Sequence, residues 1–213
     1  MMKFEMWVEG TTPILLHRAT EEALMGETRK NTIAEREDPR NIAERAVYRL
    51  HDRQLAIPGG AFARMCREAG GAHKAKGTRK SLKYIIPAAV IVLDDLCPLF
   101  MKDRKTPIVD FEVDARPVTI PATKGRVMRY RARCNEWATR ATIQINETII
   151  ADSIVRQLMT EGGQQIGVGD FRPERGGSFG VFGLTRWDLI GERPKTEARK
   201  RNGGVVEMEA DAE

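Results

Sequence analysis

The sequence predicts an α+β protein of ferredoxin-like βαββαβ layout: an antiparallel sheet with a helical insertion and a β-hairpin finger. Three observations lead there. Strand-period alternation recurs at 3–9, 109–116, 127–134 and 140–146. Helix-period apolar stripes follow Pro58 and Asp152. The order of elements is strand, helical insertion, several strands, helix, strand, with no internal repeat. A chain of 213 residues suits one main domain with a core of ordinary size, here expected over 1–191 with an insertion around 19–83.

In the first strand, Phe4, Met6 and Val8 share one face, and Lys3, Glu5, Trp7 and Glu9 the other. After "GTTPILLHR", the mixed charges and Pro39 of 19–40 suggest a long loop or weak helix. A helix is expected from Asn41 to Leu50. A second starts at Pro58, buries Ala61, Phe62, Met65 and Cys66, and stops at Gly70 and Gly71. The apolar run "YIIPAAVIVLDD" at 84–95 reads as a strand covered on both faces, with Pro87 at a bulge or edge start.

In 109–116, Val109, Phe111, Val113 and Ala115 oppose Asp110, Glu112, Asp114 and Arg116. In 127–134, Met128, Tyr130, Ala132 and Cys134 oppose Arg129, Arg131 and Arg133. An antiparallel hairpin of the two would pair Asp114 with Arg129, Glu112 with Arg131 and Asp110 with Arg133. Its connection, "PVTIPATKGR", forms the finger. The strand at 140–146 buries Ala141, Ile143 and Ile145. The next helix buries Ile154, Val155, Leu158 and Met159, with Asp152 or Ser153 as its cap. A glycine-rich loop then leads to the last strand in "FGVFGLTRWDLI", and 192–213 reads as a disordered charged tail.

A hydrophobic content of 41% with 31% charged residues is that of a soluble globular protein, and no apolar run approaches the roughly 20 residues of a membrane helix. "MMKFEMWVEG" alternates where a signal peptide would be continuously apolar, so a cytoplasmic protein is expected. Cys66, Cys97 and Cys134 have neither disulfide-framework nor zinc spacing and read as small buried hydrophobes. The net charge of +5 favours a polyanionic partner, the more so because Glu207, Glu209, Asp211 and Glu213 lie in the tail.

Two stretches carry candidate chemistry. "GGAHKAKGTRKSLKY", at 70–84, holds Lys74, Lys76, Arg79, Lys80 and Lys83 with no acid; such a segment can drape along a phosphate backbone, or be a solvated loop. "GVGDFRPERGGSFG", at 167–180, fails as a dinucleotide fingerprint because Arg172 stands where glycine is required, and no Walker loop exists anywhere. What remains is a connection presenting Arg172 and Arg175, with backbone amides at Gly167, Gly169, Gly176 and Gly177 able to face phosphates or bases, or else a bulged turn needing positive φ. Arg129, Arg131 and Arg133, roughly 6.6 Å apart along a strand, suit successive phosphates or ordinary cross-strand pairs. Lys124 and Arg126 are the cations of the finger.

Of the aromatics, Trp7, Phe179, Phe182 and Trp187 are candidates for base stacking, at most one or two of them outside the core. His17, His51 and His73 lie in no metal-ligand spacing and beside no nucleophile motif; Asp94 and Asp95 read as a strand-end turn. No catalytic residue, metal or cofactor is assigned.

A first strand running into "GTTPILLHR", an insertion with a basic loop, a penultimate helix and a glycine-rich loop before the last strand resemble the RAMP superfamily of CRISPR-associated proteins. The chain looks most similar to the backbone subunits that polymerise along guide RNA. That family's loop reads glycine, hydrophobic, glycine, about five residues with a Lys or Arg, then glycine, any, glycine. Gly167, Val168 and Gly169 match, and Arg172 and Arg175 supply the basic residue. The second half departs, with Gly176 and Gly177 adjacent and Gly180 further on.

The resemblance implies an RRM-like fold whose glycine loop, finger and insertion contact single-stranded RNA, without base specificity and as a filament with other subunits. The expectation is therefore a non-enzymatic, sequence-tolerant RNA binder that self-associates. A phage single-stranded DNA-binding or annealing protein would share the basic surface and the acidic tail "EMEADAE". A metal-independent CRISPR RNA-processing endoribonuclease is the enzymatic alternative, although the histidine of that branch has no assignable position here.

Overall fold

The computed structural model describes residues 1–19, 37–77, 79–119 and 125–191. Most of the loop or weak helix expected at 19–40, the finger tip at 120–124 with Lys124, and the tail at 192–213 lie outside the described residues.

The chain forms β1 (Met2–Gly10) and β2 (Ile14–Leu16), then α1 (Pro39–Arg45), β3 (Tyr48–Arg49), β4 (Leu55–Pro58) and α2 (Gly59–Ala69). After a basic hairpin come α3 (Ile86–Ala89), β5 (Val90–Val92) and β6 (Leu96–Phe100). The last third holds β7 (Glu112–Thr119), β8 (Arg126–Cys134), β9 (Ala138–Ile145), α4 (Asp152–Gln165) and β10 (Phe182–Ile190).

Strands β10, β1, β9 and β5 lie side by side in that order, all antiparallel, with α2 in the chain between β1 and β5 and α4 between β9 and β10. This is the ferredoxin-like βαββαβ arrangement. The second edge of β9 is shared: Val90–Val92 pair with it near Ile145, while Leu99 and Phe100 of β6 pair with Thr139 and Ala138. Through β6 the sheet continues to β4 and β3. A separate antiparallel sheet runs β2-β8-β7.

The alternation of β1 holds, with Phe4, Met6 and Val8 each at most 2% exposed. Helices α2 and α4 cover that face. Phe62 of α2 meets Phe182 of β10 edge-on at 5.9 Å, and Trp137 meets Phe182 at 6.1 Å. Full burial of a side chain such as Phe62 contributes about 1.5–3 kcal/mol. Gly162 and Gly163 let α4 approach closely: a Cβ on Gly163 would stand 2.6 Å from the Phe182 ring, and one on Gly162 3.2 Å from Met65.

Three elements differ from expectation. The helix expected over 41–50 instead spans Pro39–Arg45. Asp38 accepts a 2.9 Å bond from the Arg40 amide, and Pro39 at the first position spends no amide the helix needs. Beyond it, Tyr48 and Arg49 are drawn into a ladder with Ala56 and Leu55. The run at 84–95 is not one strand. Pro87 sits in the first turn of α3, and only Val90–Val92 are extended. Ile91 and Leu93 are 46% and 42% exposed, so one face is open. For α4, Ala151 is the cap residue and makes no side-chain bond; Asp152 lies within the first turn, where its charge complements the helix dipole.

The segment between β2 and β5 is also more than an insertion. It supplies α2 to the helical layer and β3 and β4 to the main sheet.

Candidate functional site

The glycine-rich loop leaves the C-terminus of α4, crosses β2 and returns as β10. The Asp170 amide donates to Leu15 O and the Gly180 amide to Pro13 O, both at 2.8 Å, so the loop is stitched to the chain just before and within β2. Most of its amides are committed internally. Gly167 donates to Gly162, Val168 to Gly180, Gly176 to Pro173, Gly177 to Arg172 and Phe179 to Phe171.

Gly167, Gly169 and Gly176 hold φ near +71°, +82° and +73°, and a Cβ on Gly177 would fall 1.7 Å from the Phe171 carbonyl oxygen. The glycines are thus required by the loop's own path. The expected presentation of amides at Gly167, Gly176 and Gly177 does not occur, since each is bonded within the protein. Arg172 is likewise engaged: it donates to Gly169 O at 2.9 Å and pairs with Glu174, leaving 15% of its side chain exposed. Arg175 is exposed.

The hairpin register is two residues away from the expected one. Glu112 faces Arg133, Asp114 faces Arg131 and Arg116 faces Arg129, because Pro117, Val118 and Thr119 continue the strand and shorten the turn. Of the three arginines of β8, Arg131 and Arg133 turn to the glycine loop, while Arg129 stays exposed beside His17, just past β2. Arg131, 4% exposed, donates from Nε to Asp170 at 2.6 Å. Arg129 Nη1 lies 2.8 Å from His17 Nε2. Arg133 and Arg116 stand over the Phe179 ring at 5.9 and 4.6 Å. Asp114 is held by Arg116, Asp110 by Arg40, and Glu112 by Asn135.

Burial alone would push the Asp170 carboxyl up, yet the hydrogen bond and charge of Arg131, together with the Phe171 amide, outweigh that and leave it below the usual carboxylate range. Burial lowers the pKa of His17, against the pull of Asp170 and with the help of Arg129. Its imidazole is therefore held towards the neutral form. His17 Nδ1 and Arg133 Nε are buried without a hydrogen-bond partner among the described residues.

Between this loop and α2 opens a groove of about 260 Å³. Its floor is Leu16, Ile57, Met65 and Val168; its rim includes His17, Arg18, Arg64 and Glu68. Arg64 of α2 reaches across to Glu174 at 3.0 Å. Glu68, one turn on, binds Lys83 at 2.6 Å and Arg67 at 2.8 Å, and those two cations hold its carboxyl below the ordinary range. Lys83 is thereby tied to the groove's edge.

The rest of the basic segment is a small hairpin with Gly77 at its turn: Lys74 bridges to Ser81, and the Ala75 amide donates to Lys80 O. It packs better than its composition suggests, with Ala75 and Leu82 at 3% and 0% exposure. Ser81 Oγ donates to Gly70 O at 2.8 Å, placing the hairpin beyond the C-terminus of α2. Lys74, Lys76, Arg79 and Lys80 are exposed there. An 11-residue helix is about 16 Å long. The hairpin sits beyond the C-terminus of α2, while the glycine loop meets α2 through Arg64 near its middle. Arg126 is exposed at the start of β8.

Several residues of this site escape the motif-based reading: Arg18, Tyr48, Arg64, Asp170 and Glu174. Arg64 and Glu68 were accessible, being on the helix face opposite Phe62, Met65 and Cys66. Of the aromatics considered for stacking, Phe182 is core, Trp187 stacks on Phe4 at 5.2 Å, Trp7 lies against Phe100 at 5.6 Å, and Phe179 is 6% exposed. Phe171 and Tyr84 are the exposed rings. Burial pushes the thiols of Cys66, Cys97 and Cys134 up to about 12. No group of three or more metal-binding side chains occurs among the described residues, and no helix there is long and apolar enough to cross a membrane.

Fold and site together define an α+β, ferredoxin-like protein with an arginine-lined ribbon closed on a glycine loop. No family model matches the chain, and no curated protein does. Among solved structures it is similar to a chain of the Type III-B Cmr-beta complex, determined by cryo-electron microscopy bound to cognate target RNA. The identity is 11% and the TM-score 0.51, over 89% of this chain and 60% of that one. The chain thus spans about three fifths of that neighbour's length, and the likeness is one of fold.

Proposed function

We propose that this protein is a sequence-tolerant binder of single-stranded RNA that self-associates as a backbone subunit of a CRISPR-type ribonucleoprotein. The observation that carries the reading is the exposed cationic path that Lys74, Lys76, Arg79 and Lys80 form on the hairpin beyond α2, with Arg175 exposed on the glycine loop. An unpaired polynucleotide is the polyanion that such a path suits, since its phosphates repeat along a flexible chain. RNA is favoured over DNA by the fold neighbour, whose complex was determined with target RNA. Arg126 and Lys124 would act from the finger. Arg172, Gly167, Gly169, Gly176 and Gly177 would serve by shaping the loop.

The test measures affinity for an unstructured RNA oligonucleotide across a salt series. Log affinity falls with log salt with a slope of about −0.7 per phosphate neutralised. The triple variant Lys76→Glu, Arg79→Glu, Lys80→Glu should flatten the slope by about two and weaken binding at least tenfold. An unchanged slope removes the hairpin from the interface. Purification without nuclease, with sequencing of what accompanies the protein, identifies the strand; assembly whose mass grows with RNA length tests self-association.

One observation favours a second reading. His17 sits on the groove beside Arg129 with its pKa lowered by burial, as would suit a general base for RNA cleavage. Metal-independent cleavage of a hairpin RNA, lost in His17→Ala, would select the endoribonuclease.

A further inference from the structure

We infer that the groove between α2 and the glycine loop is a pocket for a single nucleobase bearing an exocyclic amino group. The inference rests on the nucleic-acid reading above and deepens it: the strand would be held mainly by its phosphates, with one base per subunit read in this pocket.

Size is the first argument. At about 260 Å³ the groove falls below the roughly 300–1,000 Å³ of pockets that enclose drug-sized ligands, and is on the scale of a base or nucleoside. Shape and polarity come next. Leu16, Ile57, Met65 and Val168, each at most 5% exposed, give an apolar floor suited to a planar ring. Tyr48 stands on the wall with the Arg18 guanidinium 5.3 Å from its ring centre, a cation–aromatic plate of the kind on which bases stack.

Charge decides between base and phosphate. The rim holds Arg18, Arg64 and Arg172 against Glu68, Asp170 and Glu174, three of each sign. Arg64 and Arg172 already share Glu174, so neither is a free cation for a phosphate. Carboxylates can instead accept N–H groups from a base edge, as Asp and Glu do from the cytosine amine. Cytosine, adenine and guanine each present an amino group, whereas uracil turns two carbonyls and a single N–H towards its partners. His17, whose buried Nδ1 lacks a partner among the described residues, lines the same groove.

The experiment uses the full chain and the four neutral ribonucleosides, whose binding is followed by saturation-transfer NMR and titration. Lacking phosphate, they report on the pocket independently of polyanion binding. Cytidine, adenosine or guanosine should bind at least about fivefold more tightly than uridine. Ala61→Leu, which fills the groove without changing charge, should weaken nucleoside binding about tenfold or more and leave the salt slope for RNA unchanged. Glu174→Gln keeps the volume and should erode the preference over uridine, which guards against a misfolded leucine variant.

Uridine binding as tightly as each of cytidine, adenosine and guanosine, or full binding in Ala61→Leu, overturns the pocket. Nucleosides that fail to bind while RNA binds overturn it too, and leave the polynucleotide reading standing. Nucleosides that bind while neither RNA nor DNA does would keep the pocket and end that reading.

Discussion

The pair Arg131–Asp170 fastens the glycine loop to β8, and its two ends are unequally wet: 5% of the Arg131 side chain is exposed against 33% for Asp170. The inequality makes the two single replacements differ in a predictable direction. Asp170→Ala strands a guanidinium that water scarcely reaches, and orphaning a buried charge costs about 3–5 kcal/mol. Asp114, opposite Arg131 in the ladder, is engaged by Arg116, so it offers little relief, and we expect a loss of about 3 kcal/mol. Arg131→Met leaves an aspartate that water can rehydrate and fills the volume with an apolar chain, at a cost of about 1–2 kcal/mol. With about 2–4 °C of midpoint per kcal/mol for a chain of this size, the aspartate variant should melt roughly 6–12 °C low and the arginine variant about half as far. Urea unfolding with an unchanged m-value is the assay, and the double variant should fall short of additivity. An arginine variant as damaged as the aspartate variant, or worse, would refute the reasoning that differential hydration sets the cost.

Two further expectations concern stability. Gly163→Ala should destabilise by about 1–3 kcal/mol, because the new methyl meets the Phe182 ring and its carbonyl oxygen, whereas Gly60→Ala, with nothing within 4 Å, should stabilise by up to about 1 kcal/mol through helix propensity; equal effects would disprove the packing account. His17 has a folded pKa below its ordinary 6.5, so below that pH the unfolded chain takes up a proton that the folded chain refuses, and stability falls as pH drops through that window. His17→Gln should flatten the pH dependence of unfolding between about 5 and 7.

The sequence carried the layer structure well, because periodicity reports burial directly. Phe4, Met6 and Val8, Phe62, Met65 and Cys66 of α2, Ala141, Ile143 and Ile145, and the α4 stripe all lie in the core as their spacing implies, while Ala61 is partly buried and lines the groove. Short elements were less legible. Tyr48 and Arg49 form two rungs whose partner lies in β4, so nothing local separates them from the end of a helix. In the run at 84–95, Pro87 is compatible with an edge strand and with a helix's first turn, and tertiary packing chose the latter.

The site was legible as composition and illegible as geometry. A charge-alternating hairpin has a second antiparallel register two residues away that still pairs two acids with two arginines, and this is the one observed, although it also sets Arg116 opposite Arg129. Which face Arg129, Arg131 and Arg133 would meet depended on a contact forty residues away, at Asp170. The glycines were correctly read as unusual, but the backbone they accommodate is the protein's own, at Leu15, Phe171 and Gly180.

That internal use of the loop's amides has a thermodynamic corollary. A phosphate cradle left open in the free protein would be ordered by its ligand, and part of the attraction would be lost in fixing the chain. Here ten peptide N–H groups of the loop, from Gly167 to Gly180, already have acceptors within the protein. The segment meets whatever it binds as a finished template, so amide-exchange protection across it should be present before any ligand arrives and change little when one does.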